Sequence, residues 1–571
     1  MTTKAWLTDT EPSSTLPIYT RLNAGEVMPD PITPLGASLC WIPQVLPGWA
    51  TAYVEDFVFL PEEVTDESAV AGLFFGHLYL NMSALRILAI RKGIPWQTAD
   101  ELFFNAVDAP PHDERPTDHN DFITAMAPAR VAWALTATVY PDLEEDRLLA
   151  ERLRTERPNL RALSNRGLVA RARMVMPLHR LSWRGEHIGG VNGAAPRAVA
   201  TSMLPPDRQH LVLRLIGAAG DVDSAAPSYA LWALSRHVRA DAELTALFDS
   251  GIDAVVARMH SGHGLFWSEL EGFFEAYGFR GPSEWDLGTA SWESQPQLVF
   301  ALLERLRQMD DSQSPAARQN AQAAEIEAAM AEAVAGMDPD TEAAFRNAIA
   351  AGRRFSSWRE RGKSNCIKVL NEARMPLVEL GRRLEASGSL VSWHHVFMAV
   401  DSELDTLALD TGALRQSLAD RETAWLDLAT LDVPTYLDAS QPLPSIADLP
   451  RKGQGGAAQA TPGTVLTGAT TSQGVVEGRA RVVLRTDEIG DFEPGEILVA
   501  PQTDPSWTPL FMVAGGVITE VGSVVSHAMI VARELGIPCV TGVADATRRI
   551  VTGSLVRVDG ATGSIEVLAG P

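Results

Sequence analysis

The chain has 571 residues, more than a single hydrophobic core serves, so roughly two to four domains are expected. A composition of 46% hydrophobic and 21% charged residues suits a soluble globular protein, and a net charge of −24 weighs against nucleic acid or an anionic membrane surface as a partner. Cys40, Cys366 and Cys539 stand apart, which argues against a disulfide framework or a zinc site. With no signal-peptide pattern and no apolar run of spanning length, a cytoplasmic location is the expectation.

Residues 1–18 read as extended. The segment Tyr19 to Leu35 places three prolines, Pro29, Pro31 and Pro34, within six residues, so it is a loop and no helix. In residues 66–91 small, aromatic and aliphatic residues alternate, and His77 and Asn81, four apart, share one face if this is a helix. His77 is either an acid/base group or a structural histidine. Residues 97–255 read as packed amphipathic helices broken at prolines, Leu211 to Leu215 and Tyr229 to Phe248 among them. They contain no GxxxxGK[ST] loop and no strand-linked GxGxxG.

A helix from Phe266 to Tyr277 leads into Tyr277-Gly278-Phe279-Arg280-Gly281-Pro282-Ser283-Glu284-Trp285-Asp286, a shaped turn around one arginine and two acids. Arg280 is either a bidentate phosphate holder or a brace to Glu284 or Asp286. Ala316 to Ala351 is an Ala/Glu-rich antiparallel helical pair, broken near Gly336. Residues 353–384 form a mildly basic helix with Arg359, Arg361, Lys363 and Lys368, facing either incoming phosphate or ordinary surface partners. Residues 451–461 read as a flexible linker, after which the period changes to strands at Val475 to Leu484, Glu496 to Ala500 and Val556 to Val567. An apolar strand from Val513 to Ile518 and a turn with Gly522 then lead to His527, where a helix over Ala528 to Leu535 begins. Gly536 is its stop signal and Pro538 blocks its continuation. A histidine there either caps the helix or carries an anion on unpaired N–H groups.

The stretch Thr519-x-x-Gly522, Ser526-His527, Ala532-Arg533-Glu534 and Gly536-Ile537-Pro538 resembles the phosphohistidine swivelling domain of phosphoenolpyruvate (PEP)-utilising enzymes. The resemblance implies that His527 carries a phosphoryl group, with Thr519, Gly522, Ser526 and Arg533 as its surroundings. The segment Asn23-x-Gly25-Glu26-x-x-Pro29-x-Pro31-x-Thr33-Pro34 and the 277–286 turn resemble the substrate domain of the rifampicin phosphotransferase group, where histidine is usual at the position of Phe279. That resemblance makes Arg21, Asn23, His77, Asn81, Phe279 and Asp286 candidates for the acceptor site, and Arg359 of the basic helix is a further candidate. The resemblance also makes Arg280, Glu284 and Glu26 candidates for charge and base chemistry.

The expected architecture is multidomain: a mainly α-helical substrate domain over 1–450, the linker over 451–461, and a small α/β phosphohistidine swivelling domain over 462–571. The chain's end straight after that domain, and its lack of a nucleotide site, resemble the histidine-bearing subunit of phenylphosphate synthase and other phenol- or cresol-phosphorylating enzymes. The expectation is then a small phenolic acceptor, no metal in this chain, and a separate ATP-grasp subunit using ATP and Mg2+ or Mn2+. The alternatives are an antibiotic hydroxyl of the rifampicin kind as acceptor, or a non-catalytic phosphocarrier or regulatory protein.

Overall fold

The computed structural model describes residues 6–571, apart from 57, 105–108, 218–225, 453–457, 473, 485–491, 504–506 and 523–525. A four-stranded antiparallel sheet in the order β2-β3-β1-β4 joins β1 (Ile18–Thr20), β2 (Ala71–Phe74), β3 (His77–Asn81) and β4 (Tyr436–Asp438). His77 and Asn81 are therefore the two ends of a strand and not neighbours on a helix face. The reason is local: Phe75 and Gly76 take φ of 55° and 74° and form a two-residue turn that pairs Phe74 with His77.

The helices that position the candidate site are α1 (Leu46–Glu55), α2 (Met82–Arg91), α3 (Pro141–Thr155), α4 (Asn165–Asn192), α5 (His210–Gly217), α6 (Ala226–Ala240), α7 (Leu265–Tyr277), α8 (Gln297–Gln308), α9 (Pro315–Val334) and α10 (Pro339–Ala386). The expected run from Tyr229 to Phe248 ends early, because Asp241 caps a new helix by accepting the N–H groups of Glu243 and Leu244. The Ala/Glu-rich region does form two helices, α9 and α10. Both lean on α5, where Ala329, Ala333, Phe345 and Ile349 join Leu211 and Leu215 in one cluster.

Helix α10 is the spine. Its 48 residues span about 72 Å at 1.5 Å each. Asp338 starts it by accepting the N–H groups of Asp340 and Thr341 at 3.0 and 3.1 Å. Ile367, Leu370, Ala373, Leu377, Leu380 and Leu384, spaced by three or four, pack with Leu168, Ala172, Val175 and Trp183 of α4 in the largest core cluster. The fully buried Arg374 projects from α10 into the 284–289 turn and donates to the carbonyls of Leu287, Glu284 and Asp286 at 3.1, 3.0 and 2.7 Å. Asp286 in turn accepts from the N–H and the hydroxyl of Thr33, both at 2.6 Å, and from the N–H of Gly288 at 2.9 Å. Two loops far apart in sequence are thus fastened to one helix.

The C-terminal sheet runs β5-β12-β11-β7-β8-β9-β10-β6. Its strands are β5 (Val465–Thr467), β6 (Ala469–Ser472), β7 (Val475–Val482), β8 (Ile497–Ala500), β9 (Gly516–Thr519), β10 (Cys539–Thr541), β11 (Leu555–Asp559) and β12 (Ser564–Ala569), parallel across β7-β8-β9-β10 and antiparallel elsewhere. Val513 ends a short helix, α11 (Thr508–Val513), where a strand was expected; Pro509 stands at the start of this helix, a position that suits proline. Alternation along β8 divides the burial: Leu498 and Ala500 share a core with Leu231 of α6, Phe273 of α7 and Leu303 of α8, while Ile497 and Val499 face Val556 and Ile565. The small sheet therefore rests on α6 to α8 through an apolar face. The middle of the expected linker, 453–457, lies outside the described residues. Its flanks are tied down: the N–H of Lys452 donates to the Thr430 carbonyl and that of Ala460 to the Arg549 carbonyl, both at 2.8 Å. Among the described residues no single helix is long and apolar enough to cross a membrane.

Asp286→Ala should strand the buried N–H and hydroxyl of Thr33 and loosen the 29–36 loop. Urea unfolding should show a loss of about 3 kcal/mol; a loss below about 1 kcal/mol would mean that the clamp does not hold the two loops.

Candidate functional site

His527 is the first residue of α12 (His527–Leu535). Ser526 is the N-cap, its backbone extended and its hydroxyl accepting the N–H of Met529 at 3.3 Å. Gly536 closes the helix in the left-handed conformation, φ 64°, as its place in the sequence led one to expect. The helix starts beside the carboxyl ends of β9 and β10. Thr519 and Thr541, the last residues of those strands, are fully buried, and neither hydroxyl has a hydrogen-bond partner among the described residues. Gly522 holds φ at 150°, and a Cβ there would come within 3.0 Å of Thr541 Cβ and 3.2 Å of Ser526 Oγ. A helix start is, by its unpaired N–H groups and dipole, a setting that favours an oxyanion.

A second locus lies in the helical body. A pocket of about 210 Å3 opens between α1, α4, α10 and the β3 strand. Trp41, Trp49, Trp183 and Trp285 make its aromatic wall, with ring centroids 5.9 Å apart for Trp41–Trp49, 5.2 Å for Trp49–Trp183 and 4.9 Å for Trp183–Trp285. The indole N–H groups of Trp41, Trp49 and Trp285 are buried without an acceptor among the described residues. Trp183 instead donates to His179 at 2.7 Å; burial pushes that histidine's pKa down to about 3, so it stays neutral. The polar members are Glu186 and His187 on α4, Arg359 and Lys363 on α10, and Asn23. Burial raises the pKa of Glu186, against the opposing pull of Lys363 and Arg359. Burial pushes His187 down to about 4, and its ring stacks on Tyr53 with centroids 4.6 Å apart. A carboxylate poised toward protonation, two cations and an aromatic wall fit an acceptor whose hydroxyl is to be deprotonated beside an anion.

Of the residues singled out from sequence, Asn23 and Arg359 line this pocket. Arg21 does not: its guanidinium donates to the carbonyls of Met28 and Pro29, both at 3.1 Å, and braces the loop. Glu26 is buried outside the pocket lining. His77 is fully buried, its Nδ1 2.8 Å from the Phe75 carbonyl, and burial together with Arg21 holds its pKa well below the usual histidine range; it belongs to the hairpin. Asn81 caps α2 by accepting the Ala84 N–H at 3.0 Å and donates to the Leu16 carbonyl at 2.9 Å. Arg280 is the brace of the two alternatives, 2.7 Å from Glu284, and Asp286 is the clamp on Thr33. Phe279, expected to stack on an acceptor ring, is 1% exposed and lines a different cleft. Arg533 lies about 9 Å along α12 from His527 and donates to the Leu213 carbonyl at 3.2 Å, fastening α12 to α5. Residues 523–525, in the turn before His527, lie outside the described residues. Glu186 and His187 were missed; the signal was Trp183-x-x-Glu186-His187, one helical face, matched on α10 by Arg359 and Lys363 four apart.

Residues 187–360 match the family described as rifampicin phosphotransferase fourth domain, and residues 492–563 match the PEP-utilising enzyme mobile domain. The chain carries a PEP-utilising enzyme mobile domain. His527 and the whole of α12 fall inside it. An uncharacterized protein of Mycobacterium tuberculosis is 33% identical over 293 residues, 51% of this chain and 30% of its own length. The rifampicin phosphotransferase of Streptomyces sviceus is 32% identical over 313 residues, 52% of this chain and 34% of its own. That of Bacillus cereus is 49% identical over 107 residues, 19% of this chain and 12% of its own. The chain thus spans roughly a third or less of the length of these relatives. The mobile domain contributes none of the residues that line the aromatic pocket, so the two loci stand apart in this structure.

An aromatic alcohol such as 1-naphthol should quench the tryptophan fluorescence of the chain saturably, because four indoles form one wall. Trp183→Ala should weaken that binding about tenfold or more, at the usual worth of a buried aromatic contact. Equal affinity in the variant would show that the probe binds elsewhere.

Proposed function

We propose that this chain is the acceptor and phosphohistidine component of a phosphotransferase, in which His527 carries a phosphoryl group to a hydroxyl held in the aromatic pocket. The observation that carries the reading is the pocket itself. Within a chain that bears the mobile domain, it places one carboxylate of raised pKa and two cations against an aromatic wall.

In the proposed step the acceptor oxygen attacks phosphorus in line with the N–P bond of phosphorylated His527. The O–P bond forms as the N–P bond breaks, and the electron pair returns to the imidazole. Glu186 takes the hydroxyl proton, and Arg359 and Lys363 neutralise the equatorial oxygens. Delivery needs the mobile domain to leave its seat on α6 to α8, with residues 451–461 as the proposed tether.

For the acceptor, the curated relatives favour a rifampicin-like aromatic antibiotic, whose ring system would occupy the indole wall. The pocket volume of about 210 Å3 favours the second reading, a one- or two-ring phenol. Where this sequence ends carries no information on a separate ATP-grasp subunit, since the chain matches only about a third of the length of its relatives. A nucleotide-binding component with ATP and Mg2+, fused or separate, remains part of the proposal.

The chain should become phosphorylated on His527 by phosphoramidate, with the position read by mass spectrometry, and should then transfer the group to rifampicin or to phenol in a single turnover. His527→Ala should abolish both steps; phosphate found on another residue would sink the reading. Glu186 acts as base only when ionised, so the transfer rate should climb with pH through its raised pKa and level off above it. Glu186→Gln should remove that limb and slow transfer by about a hundredfold or more.

A further inference from the structure

Helix α4 and the short helix Ala194–Ser202 that continues it run antiparallel to α10. A Cβ on Gly362 would stand 2.9 Å from Glu186 Cα, and one on Gly193 would stand 3.2 Å from Phe355 Cβ, so residue numbers rise on one side as they fall on the other. Glu186, Gly190, Gly193 and Arg197 follow at steps of four, three and four and share one face of that run. Glu186 and Gly190 line the aromatic pocket together with Arg359 of α10. Arg197 stands about 10 Å further along the helix than Gly190, just outside the lining. At Gly190 and Gly193 the face carries no side chain. Beyond its own helix, a Cβ on Gly190 would meet nothing within 4 Å except Glu186 Oε1, at 3.9 Å, so the space beside it is open.

The cations at this end of the pocket lack counterions. Among the described residues the Arg197 guanidinium has neither a hydrogen bond nor an ion pair. Arg359 approaches one carboxylate, with Nη1 3.7 Å from Glu360 Oε1, beyond hydrogen-bond reach. That same oxygen accepts from Lys363 at 3.3 Å. Burial lowers the pKa of Arg197, and the positive charge of Arg359 lowers it further. Two guanidiniums that are desolvated and repel each other are a costly arrangement, and an anion between them offsets the cost.

We propose that Arg197 and Arg359 together hold the phosphate group of a ligand, seated in the open space beside Gly190, while its aromatic part lies on the indole wall. This anion subsite rests on the reading of the pocket as the acceptor site, and it distinguishes a phosphate ester from the free alcohol. Each guanidinium presents its N–H groups as a planar fork, and two forks from different helices reach a tetrahedral dianion from two sides.

The test compares 1-naphthyl phosphate with 1-naphthol on the full chain by tryptophan fluorescence, which needs no phosphoryl transfer. The wild type should bind the ester more tightly than the alcohol. Arg197→Gln should weaken the ester about tenfold or more, the worth of a charged hydrogen bond, and the alcohol far less. Arg197→Lys, which keeps the charge and loses the fork, should fall between. Because Arg197 has no partner to lose, urea unfolding should find Arg197→Gln at least as stable as the wild type. An unchanged ester affinity, an equal loss for ester and alcohol, or a destabilised Arg197→Gln would each overturn the subsite and leave transfer from His527 standing. Binding of neither probe to the wild type would overturn the subsite and the acceptor reading together. An ester affinity that depends on Arg197, in a chain that fails to transfer from His527, would sustain the subsite and sink only the transfer reading.

Discussion

A fully buried arginine in the middle of the longest helix is the constraint on which the rest of the helical body depends. Burial pushes the pKa of Arg374 down to about 10, while Asp286 and Glu284 pull the other way. Such a charge persists in a core only if its donors are spent, and here backbone carbonyls of the 284–287 turn take them. The turn is thereby fixed against α10, and Asp286 passes the constraint on to the proline-rich loop through Thr33. Trp285, held between the anchored residues of this turn, packs on Trp183 and completes the indole wall. Arg280, Glu284 and Asp286 look catalytic as a string of letters; in space they are the fastening of that wall.

Helix α10 also divides the chemistry. One side presents Arg359 and Lys363 to an apolar, aromatic pocket, the other presents Arg361 and Lys368 to a larger cationic cleft. A continuous helix keeps such faces apart without loops or hinges, because its side-chain directions follow from residue spacing alone.

The mobile domain is seated on an apolar face that it shares with α6, α7 and α8, and Arg533 adds a polar fastening to α5. Leaving that seat would expose Leu498, Leu510 and Leu535 on one side and Leu231, Phe273 and Leu303 on the other, at a cost that grows with the area uncovered. On the proposed reading, the acceptor-facing position has to offer comparable contacts. On that reading the carrier and the pocket belong to bodies whose contact sets the cost of transfer.

What the sequence determined by itself was local. Ser526 before His527, Gly536 after Leu535 and the apolar spacing of α12 specify a capped helix whatever surrounds it, and these elements appear where the letters put them. The change to period two after residue 461 likewise announced the strands. The spacing of His77 and Asn81 left helix and strand open, since residues four apart share a face in both, and the two-residue turn at Phe75-Gly76 decided for the strand. The pocket was not legible, because its wall draws Trp41, Trp49, Trp183 and Trp285 from separate elements, and only the packing of α4 on α10 brings Glu186 toward Arg359 and Lys363. Tertiary structure alone also decided that Phe279 is covered by cations and that Arg21 is spent on carbonyls. The physical reason is the same in each case. Caps and periods are set by neighbours within a few residues, whereas burial, shifted pKa values and unspent donors belong to contacts between segments far apart in the chain.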